Sequence, residues 1–320
     1  MTLNDVYTTS GDEPKTVVLT GPSRGLGRAT TLAIARRGHQ LVLIGRPSGG
    51  FDAIRQDALD AGAAAVTMIE ADLQSIESTR AAGNEIAALV ARGDVPAIDV
   101  IIGSAGIRVG NGNTATVDGI EATFAVNVLA NATLVDVLAP ALAPHAHIVL
   151  VGSVLHRGAF PFTIVNPAPV WTSPEELARP DGGDKDVAGA RAYSTSKLAV
   201  NYLVHALQRE VPEGVRVNVY APGLVVGTSI VRELSPFSQF FWTKVMPTIR
   251  FPLMTDEPTS TELLAAFALG ESHVGARAAY VELDKVVEPS AISTDPHREA
   301  DLLTTCRALN ATAETSVTHA

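Results

Sequence analysis

Short runs of aliphatic residues alternate along this chain with longer stretches whose apolar positions recur at helical spacing. The runs are typical of buried strands, and the stretches between them are typical of amphipathic helices. Because the strands are unbroken apolar runs, both faces of the sheet are expected to be covered, as in a parallel sheet. The pattern predicts strands at 16–20, 40–44, 66–70, 100–103, 147–151 and 215–220, and helices at 51–61, 76–91, 120–142 and 193–209 besides one that ends at residue 37.

This alternation indicates an α/β protein of three layers, in which one sheet lies between two layers of helices. The length of 320 residues and the lack of an internal repeat favour a single domain at 15–310, with mobile tails at 1–14 and 311–320. Two stretches interrupt the alternation, namely a Pro- and Gly-rich insert at 155–190 and an aromatic-rich segment at 228–254. Long segments of this kind in a compact domain are usually functional.

Composition narrows the class of protein. A net charge of −10 disfavours nucleic acid as the main partner. No apolar run approaches the roughly 18 residues of a membrane span, so we expect no stable membrane insertion. The polar N-terminus does not resemble a secretory signal, and the single Cys306 allows no internal disulfide, so the cytoplasm is the expected location. The scattered histidines predict no metal site.

A glycine-rich segment joins the first predicted strand to the first predicted helix. Glycines there permit a tight turn and let a pyrophosphate approach the backbone, while the helix N-terminus offers free N–H groups. The spacing is G-x-x-x-G-x-G rather than G-x-G-x-x-G, and a glycine turn by itself is more often structural. Its position favours phosphate binding, and the expected contacts are Gly21, Ser23, Arg24, Gly25, Leu26 and Gly27.

The end of the second strand indicates which dinucleotide is bound. NAD sites carry Asp or Glu there for the ribose 2′-hydroxyl, whereas this chain has Arg46. Arg46 and Arg24 could hold a 2′-phosphate between them, which favours NADP(H) as the cofactor. The alternative is that both arginines are solvated charges in loops. Asp72 ends the third strand beside Leu73, where it either hydrogen-bonds the adenine or caps the next helix.

Tyr193 and Lys197 are four residues apart on a predicted helix and therefore lie on one face. The ammonium favours the phenolate, so we expect the tyrosine to exchange a proton closer to neutral pH than an ordinary pKa of about 10 allows. Such pairs also occur by chance. The glycine loop, together with Asn127 and Ser153 upstream, supports a catalytic interpretation of this pair.

Taken together, these motifs resemble those of the short-chain dehydrogenase/reductase family, from residue 16 to about residue 228. Residues 116–131 (TVDGIEATFAVNVLAN) also resemble the retinol dehydrogenase and protochlorophyllide oxidoreductase branch. Gly103 departs from the pattern, because the family usually has an Asn there that braces the sheet. The markers are the TGPSRGLG loop, Ala71-Asp72-Leu73, Ser104-Ala105-Gly106, Asn127, Ser153, the YSTSK run from Tyr193 to Lys197, and Pro222-Gly223.

The resemblance implies a Rossmann-type, doubly wound parallel sheet and hydride transfer with NADP(H). It implies that Tyr193 is the general acid in reduction and that Lys197 lowers the tyrosine pKa and holds the nicotinamide ribose. Ser153 would hydrogen-bond the carbonyl oxygen, and Asn127 would hold a water for proton resupply. Besides Tyr193 and Lys197, the further cofactor contacts implied are Ser104, Ala105, Gly106, Pro222, Gly223 and Thr228.

The segment 228–254 occupies the position of the family's substrate lid. Phe237, Phe241 and Trp242, with Leu155 at the start of the insert, are interpreted as the wall of an apolar pocket. Ordinary core packing and shallow membrane contact are the alternatives. The expected substrate is a hydrophobic ketone, aldehyde or secondary alcohol.

Three functions are open at this point. The first is an NADPH-dependent oxidoreductase that acts on a carbonyl or alcohol. The second is reduction of a conjugated carbon–carbon double bond, although enzymes of that branch generally have several cysteines. The third is a non-catalytic NADPH-binding module, which would not need the intact Tyr, Lys, Ser and Asn set. The insert favours a monomer over a homodimer, because in relatives such an insert covers a helix face used for dimerisation.

Overall fold

A computed structural model describes residues 13–109, 114–160, 162–164, 166–180, 185–225, 254–288 and 290–317. Strands and helices alternate through most of these ranges. In chain order the elements are β1 (Thr16–Thr20), α1 (Gly25–Ala35), β2 (Gln40–Gly45), α2 (Gly49–Ala61), β3 (Ala65–Glu70), α3 (Ile76–Arg92), β4 (Ile98–Gly103), α4 (Ala122–Ala141), β5 (Leu142–Val151), α5 (Pro174–Leu177), α6 (Lys185–Glu210), β6 (Arg216–Ala221), β7 (Leu224–Val225), β8 (Met254–Thr255), α7 (Glu257–Leu269), β9 (Tyr280–Glu282), β10 (Lys285–Val287) and α8 (Pro296–Val317).

Among the described residues, eight strands form one sheet in the order β10-β9-β6-β5-β4-β1-β2-β3. Neighbouring strands are parallel except β9 and β10, which form an antiparallel edge. One buried cluster packs α3, α4, α6 and α8 on one face of the sheet, and a second packs α1, α2 and α7 on the other. The predicted three-layer, doubly wound α/β fold is therefore confirmed.

The predicted ends of strands and helices are accurate where an apolar run begins and ends abruptly. They are less accurate where polar residues belong to the element. The strand at 16–20 is confirmed residue for residue. β5 begins at Leu142 rather than at residue 147, and α6 begins at Lys185, so that Tyr193 lies inside the helix rather than at its start. The last part of the predicted insert is therefore helical. Alanine-rich segments such as 187–192 favour helix extension.

The long helix α4 is regular only in part. Glu121 caps it, because its carboxylate accepts a hydrogen bond from the Phe124 N–H at 2.7 Å. The stretch Ala125–Leu129 is a π-helix, a local widening that often occurs at functional sites. Within the described residues, Ala122–Ala141 has the length and apolar composition of a membrane span, but 83% of its most apolar window is buried inside the protein. Such burial is typical of a core helix.

Several elements after β6 were not predicted. The strands β9 and β10 have three residues each, which is too short for a periodic pattern to be recognised. Helix α8 extends through Val317, into the stretch expected to be a tail, and its Arg307 binds Asp136 of α4 at 2.8 Å. Cys306 of α8 is fully buried, and burial raises the pKa of its thiol to about 12. The division of the chain into one domain and two tails stays a prediction.

His147 is a buried residue of β5 whose two ring nitrogens are both engaged. Nδ1 lies 3.1 Å from the Ala268 carbonyl oxygen, and Nε2 lies 2.9 Å from Asn218 Nδ2. Since the Asn218 amide nitrogen is a donor, Nε2 must be its acceptor, and the ring is neutral with its proton on Nδ1. The orientation of Asn218 is set by Ala279 N–H, which donates to its Oδ1 at 2.9 Å. His147 is thus a core residue with both ring nitrogens satisfied.

We predict that this histidine makes the fold less stable in acid. Burial lowers the pKa of His147 to about 3 from its ordinary 6.5. Between these two pH values the imidazole is protonated in the unfolded chain and neutral in the folded chain. Stability is therefore complete above pH 6.5 and falls as the pH drops below it, by about 1.4 kcal/mol per pH unit from this residue. Urea unfolding between pH 7 and 5 should show a smaller loss for His147→Gln than for the wild type. Equal slopes would contradict the assignment.

Candidate active site

The predicted site residues converge at the carboxyl ends of β1, β4 and β5. The strand order reverses between β1 and β4, which are neighbours in the sheet although not in the sequence. In open α/β sheets, ligands bind in the crevice outside the carboxyl ends of the strands at such a reversal. The glycine loop follows β1, Ser104–Gly106 follow β4, and Ser153 follows β5.

Glycine is required at two positions of the loop after β1, for a different structural reason at each. Gly21 has φ +72°, a left-handed conformation in which other residues are strained. At Gly27 a Cβ would lie 2.1 Å from the Gly21 carbonyl oxygen, so the first turn of α1 can approach the loop only without a side chain. Arg24 is the N-cap of α1 but makes no side-chain capping bond. Side-chain capping therefore satisfies none of the first N–H groups of α1, and this cradle fits a phosphate.

The residues expected to select the dinucleotide lie beside this cradle. The Gly21 N–H donates to the Ile44 carbonyl oxygen at 3.0 Å, which places the end of β2 and Arg46 next to the loop. Arg24 and Arg46 are both exposed. Asp72 follows β3 and accepts a hydrogen bond from Gln74 N–H at 3.1 Å, whereas the cap of α3 is Ser75. The N-cap alternative for Asp72 is therefore wrong, and Leu73 packs against the core beside it.

The loop after β4 forms the next wall of the crevice. The Ala105 N–H donates to Thr20 Oγ1 at 3.0 Å, which ties this loop to the end of β1. Among the residues that the structure describes, Ser104 Oγ is buried and has no hydrogen-bond partner. At Gly106 a Cβ would lie 3.6 Å from Lys197 Nζ, so the glycine leaves the ammonium approachable from this side. These residues fit the predicted cofactor contacts.

Tyr193 and Lys197 lie on one face of α6, as predicted, with Nζ 5.6 Å from the centre of the phenol ring. Lys197 is buried and donates to the Val151 carbonyl oxygen at the end of β5 at 2.8 Å. An ammonium has three donors, so two stay available to a ribose. Ser153, two residues past Val151, acts on the Tyr193 phenol as a hydrogen-bonding group that lowers the phenol pKa. The Leu155 N–H donates to Ser153 Oγ at 3.3 Å, which orients the hydroxyl.

Burial dominates the pKa values of this pair. It raises the pKa of Tyr193 to about 12, against the opposing effects of the Arg108 charge and the Ser153 hydrogen bond. It lowers the pKa of Lys197 to about 8, because a buried ammonium loses its hydration. The sequence led us to expect Lys197 as the group that lowers the tyrosine pKa. In the structure, the charge with the largest lowering effect is that of Arg108.

Asn127 lies in the π-helical part of α4 and connects three elements. Its Oδ1 accepts from the Ile107 N–H at 2.8 Å, and its Nδ2 donates to the Ile107 carbonyl oxygen at 3.0 Å. Nδ2 also donates to Ser196 Oγ of α6 at 3.0 Å. The Asn131 amide in turn donates to the Asn127 carbonyl oxygen at 2.9 Å. Asn127 therefore holds the loop after β4 against the helix that carries Tyr193.

Gly103, where the family usually has Asn, is closely covered by another side chain. A Cβ at Gly103 would lie 2.3 Å from Asn131 Oδ1 and 2.8 Å from Leu150 Cδ2. The residue still pairs with Leu150 in the sheet. The amide of Asn131 thus occupies the space that a larger residue at position 103 would need.

The remaining predicted residues divide into described and undescribed ones. Leu155 is buried and packs with Val154, Phe162 and Tyr193, so it lies where an apolar wall was expected. Pro222 and Gly223 follow β6, and the Pro222 carbonyl oxygen accepts from Ser260 Oγ at 3.0 Å. The predictions for Thr228, Phe237, Phe241 and Trp242 lie outside the described residues.

Arg108 is a site residue that the sequence analysis missed. It lies two residues beyond Gly106, in the loop at the carboxyl end of β4. The available signal was its position, since a basic residue in a loop at this edge of a parallel sheet faces the crevice side of the molecule. No motif includes Arg108. Its electrostatic effect on Tyr193 arises because the fold brings together two residues that are 85 positions apart in the sequence.

Comparison with known proteins identifies the family. The family model described as short chain dehydrogenase matches residues 15–166 and 181–239. The chain belongs to this family. It is 30% identical over 211 residues to a Streptomyces sp. (strain C5) protein named as a daunorubicin C-13 ketoreductase, with 66% of each chain covered. It is also 31% identical over 227 residues to retinol dehydrogenase 14 of Mus musculus, covering 66% of this chain and 61% of that protein. The chain thus spans just under two thirds of the length of these relatives.

Solved structures support the fold. A 3-oxoacyl (acyl-carrier-protein) reductase from Agrobacterium tumefaciens C58 with NADP bound has a TM-score of 0.63 and 19% identity, covering 88% of this chain and 96% of that chain. The angucycline C-6 ketoreductase LanV with bound NADP has a TM-score of 0.61 and 18% identity, covering 84% of this chain and 93% of that chain. At these identities the likeness concerns the fold alone.

We predict that Gly103 and Asn131 are energetically coupled. Gly103→Ala should lower the free energy of unfolding by about 1–3 kcal/mol, because the new methyl group overlaps Asn131 Oδ1. Adding Asn131→Ala removes that oxygen, so the double variant should lose less than the sum of the two single losses. Chemical unfolding of all four proteins measures the coupling. Strict additivity would show that the close approach is absent.

Proposed function

We propose that this protein is an NADPH-dependent oxidoreductase that reduces a hydrophobic ketone or aldehyde, or oxidises the corresponding secondary alcohol. The observation that carries the proposal is the convergence of Tyr193, Ser153 and Lys197 beside the glycine loop at one edge of the sheet. NADPH, when bound, supplies the hydride. The chain's own groups supply the proton, the orientation and the electrostatic environment.

Each residue has a role that follows from its contacts. In reduction, the Tyr193 phenol donates its proton to the oxygen of the reacting carbonyl, whose carbon receives the hydride. The Ser153 hydroxyl, oriented by the Leu155 N–H, stabilises the negative charge that develops on that oxygen. A pKa of about 12 keeps Tyr193 protonated at neutral pH, which suits a general acid in the reductive direction. Lys197 presents its two remaining donors to the nicotinamide ribose.

The preference for NADPH is supported by the ends of β2 and α1. Arg46 lies beside the glycine loop without an adjacent carboxylate, and exposed Arg24 precedes α1. Two guanidinium groups are suited to a phosphate through charge and fork-like hydrogen bonds. Two neighbours with the same fold have NADP bound, which agrees with this preference.

The substrate class is supported by the walls of the site. Val154, Leu155 and Phe162 form a buried apolar cluster against Tyr193. The relatives are named as a ketoreductase and a retinol dehydrogenase, which agrees with chemistry at a carbonyl or alcohol group. A monomer is favoured because α8 of the same chain packs over α3, α4 and α6. The cytoplasm is the expected location.

Turnover should depend on the Tyr193 hydroxyl. We expect NADPH oxidation with a panel of small and bulky carbonyls, identified by its alcohol products, and loss of at least about 100-fold in kcat in Tyr193→Phe. NADPH affinity, measured by fluorescence titration, should stay near the wild-type value, because the ring is kept. Tyr202→Phe on the same helix is the control, since the Tyr202 hydroxyl bonds the Ile292 carbonyl oxygen instead.

The outcomes separate the rival functions. Wild-type rates in Tyr193→Phe would refute the mechanism. Saturated double-bond products would indicate conjugated-bond reduction, and binding of NADPH without turnover of any carbonyl would indicate a non-catalytic module.

Cofactor preference should depend on Arg46. Arg46→Asp places a carboxylate beside the 2′-position, so we expect the ratio of kcat/KM for NADPH over NADH to fall by at least about tenfold, the effect of roughly 1.4 kcal/mol. Arg55→Asp makes the same change in net charge on the exposed side of α2 and should leave the ratio unchanged. An unaltered ratio in Arg46→Asp would refute the assignment.

A further inference from the structure

Arg108 is rigidly placed although it belongs to a loop. The preceding residue, Ile107, is held through both its N–H and its carbonyl oxygen by the Asn127 amide, at 2.8 and 3.0 Å. Asn127 is itself 1% exposed and also bonds Ser196 of α6. The backbone from which the Arg108 side chain begins is therefore fixed to the helix that carries Tyr193.

The guanidinium group of Arg108 lacks hydrogen-bond and ion-pair partners that other arginines of the described chain have. Its Nη1 is buried without a hydrogen-bond partner, and it forms no ion pair within the part of the chain that the structure describes. Two other partly buried arginines are paired with acids, as Arg157 is with Glu282 at 2.7 Å and Arg37 is with Glu262 at 2.9 Å. Arg108 as a whole is half-buried, but a buried N–H group without a partner costs free energy unless a ligand completes its hydrogen bond.

The position of this charge relative to Tyr193 locates the missing partner. Arg108 lies two residues beyond Gly106, where an added Cβ would lie 3.6 Å from Lys197 Nζ, and Lys197 Nζ lies 5.6 Å from the centre of the Tyr193 ring. Arg108 therefore belongs to the same side of the crevice as Tyr193, and its charge is the one that lowers the pKa of the phenol. Val154, Leu155 and Phe162 supply the apolar side of that space. A molecule whose carbonyl oxygen reaches Tyr193 therefore enters a crevice that also holds this cation.

We propose that Arg108 binds an anionic oxygen of the substrate next to the reacting carbonyl, so that the preferred substrates are apolar carbonyl compounds with a carboxylate or an ionised hydroxyl group near that carbonyl. The proposal rests on the proposed function, because it takes Tyr193 as the site of carbonyl reduction. The fork of a guanidinium matches a carboxylate, or a pair of adjacent oxygens, through two parallel hydrogen bonds. Because the chain carries a net charge of −10, a local cation favours the binding of an anion at this point.

Equilibrium binding tests the proposal without requiring turnover. Calorimetric titration of the protein saturated with NADP⁺ would compare benzoylformate with its methyl ester, and 2-hydroxy-1,4-naphthoquinone with its 2-methoxy analogue. The first pair probes a carboxylate and the second probes an ionised hydroxyl group. We expect the wild type to bind the anion of at least one pair about tenfold or more tightly than the neutral partner.

Variants of Arg108 show whether this residue is the cause. Arg108→Met keeps the length of the side chain but not its charge, and should reduce the preference for the anion about tenfold. Arg108→Lys keeps the charge without the fork and should give an intermediate preference. Arg55→Met, exposed on α2, removes the same charge elsewhere and should keep the wild-type preference. Because the preference is a ratio within each protein, a general weakening of the site cancels.

Two results would overturn the proposal. One is a wild type that binds anion and neutral partner equally, or binds neither, in both pairs; the other is an undiminished preference in Arg108→Met. A purely structural role would lower the melting temperature and weaken all four ligands alike, without changing the ratio. Turnover of neutral ketones without any anion preference would refute this proposal and leave the proposed function intact. Selective anion binding that depends on Arg108, without turnover of any carbonyl, would refute the proposed function and leave Arg108 as an anion-binding residue.

Discussion

The amide of Asn127 is the interaction on which the site depends most. It uses both protons of Nδ2 and one lone pair of Oδ1 to join the loop after β4 to α6. The π-helical turn of α4 is where this residue lies, and Asn131 satisfies the carbonyl oxygen of the same turn. Both Asn127 and Ser196 are buried, so these hydrogen bonds lie in a low-dielectric environment in which they are stronger than in water. This side chain holds the loop that carries Gly106 and Arg108 against the helix that carries Tyr193.

The site combines buried polar groups with charges that are not fully neutralised. Burial raises the pKa of Tyr193 and lowers that of Lys197, which brings the two values to about 12 and about 8. In such an environment each hydrogen bond and each charge has a larger effect than in water. Ser153 and Arg108 both act on the phenol in this way, and they do so from β5 and β4 respectively. The chemistry of the site is therefore a property of the sheet edge rather than of one motif.

Much of the fold was predictable because its signals are local. The strand at 16–20 is a sharp apolar run, and α2 and α3 have Ser48 and Ser75 as caps, so their ends were found to within a few residues. The hairpin of β9 and β10 was not found, because three-residue strands have no measurable alternation. The predicted start of α6 lies eight residues too late, since Gly189 interrupts the alanines and the sequence Asp-Gly-Gly-Asp precedes the helix, so that helix-favouring and helix-breaking residues are mixed there.

By itself, the sequence determined which chemical groups this protein has and at which strand ends they lie: the glycine loop after β1, Ser153 after β5, and Tyr193 and Lys197 on one helix face. These features depend on spacing along the chain, which strand and helix geometry converts directly into position. Only the tertiary structure decided that Asn131 fills the space at Gly103, that burial rather than Lys197 dominates the pKa of Tyr193, and that Arg108 acts on the phenol. Desolvation and Coulomb interactions depend on distance in space, and the groups that produce them here come from parts of the chain far apart in sequence.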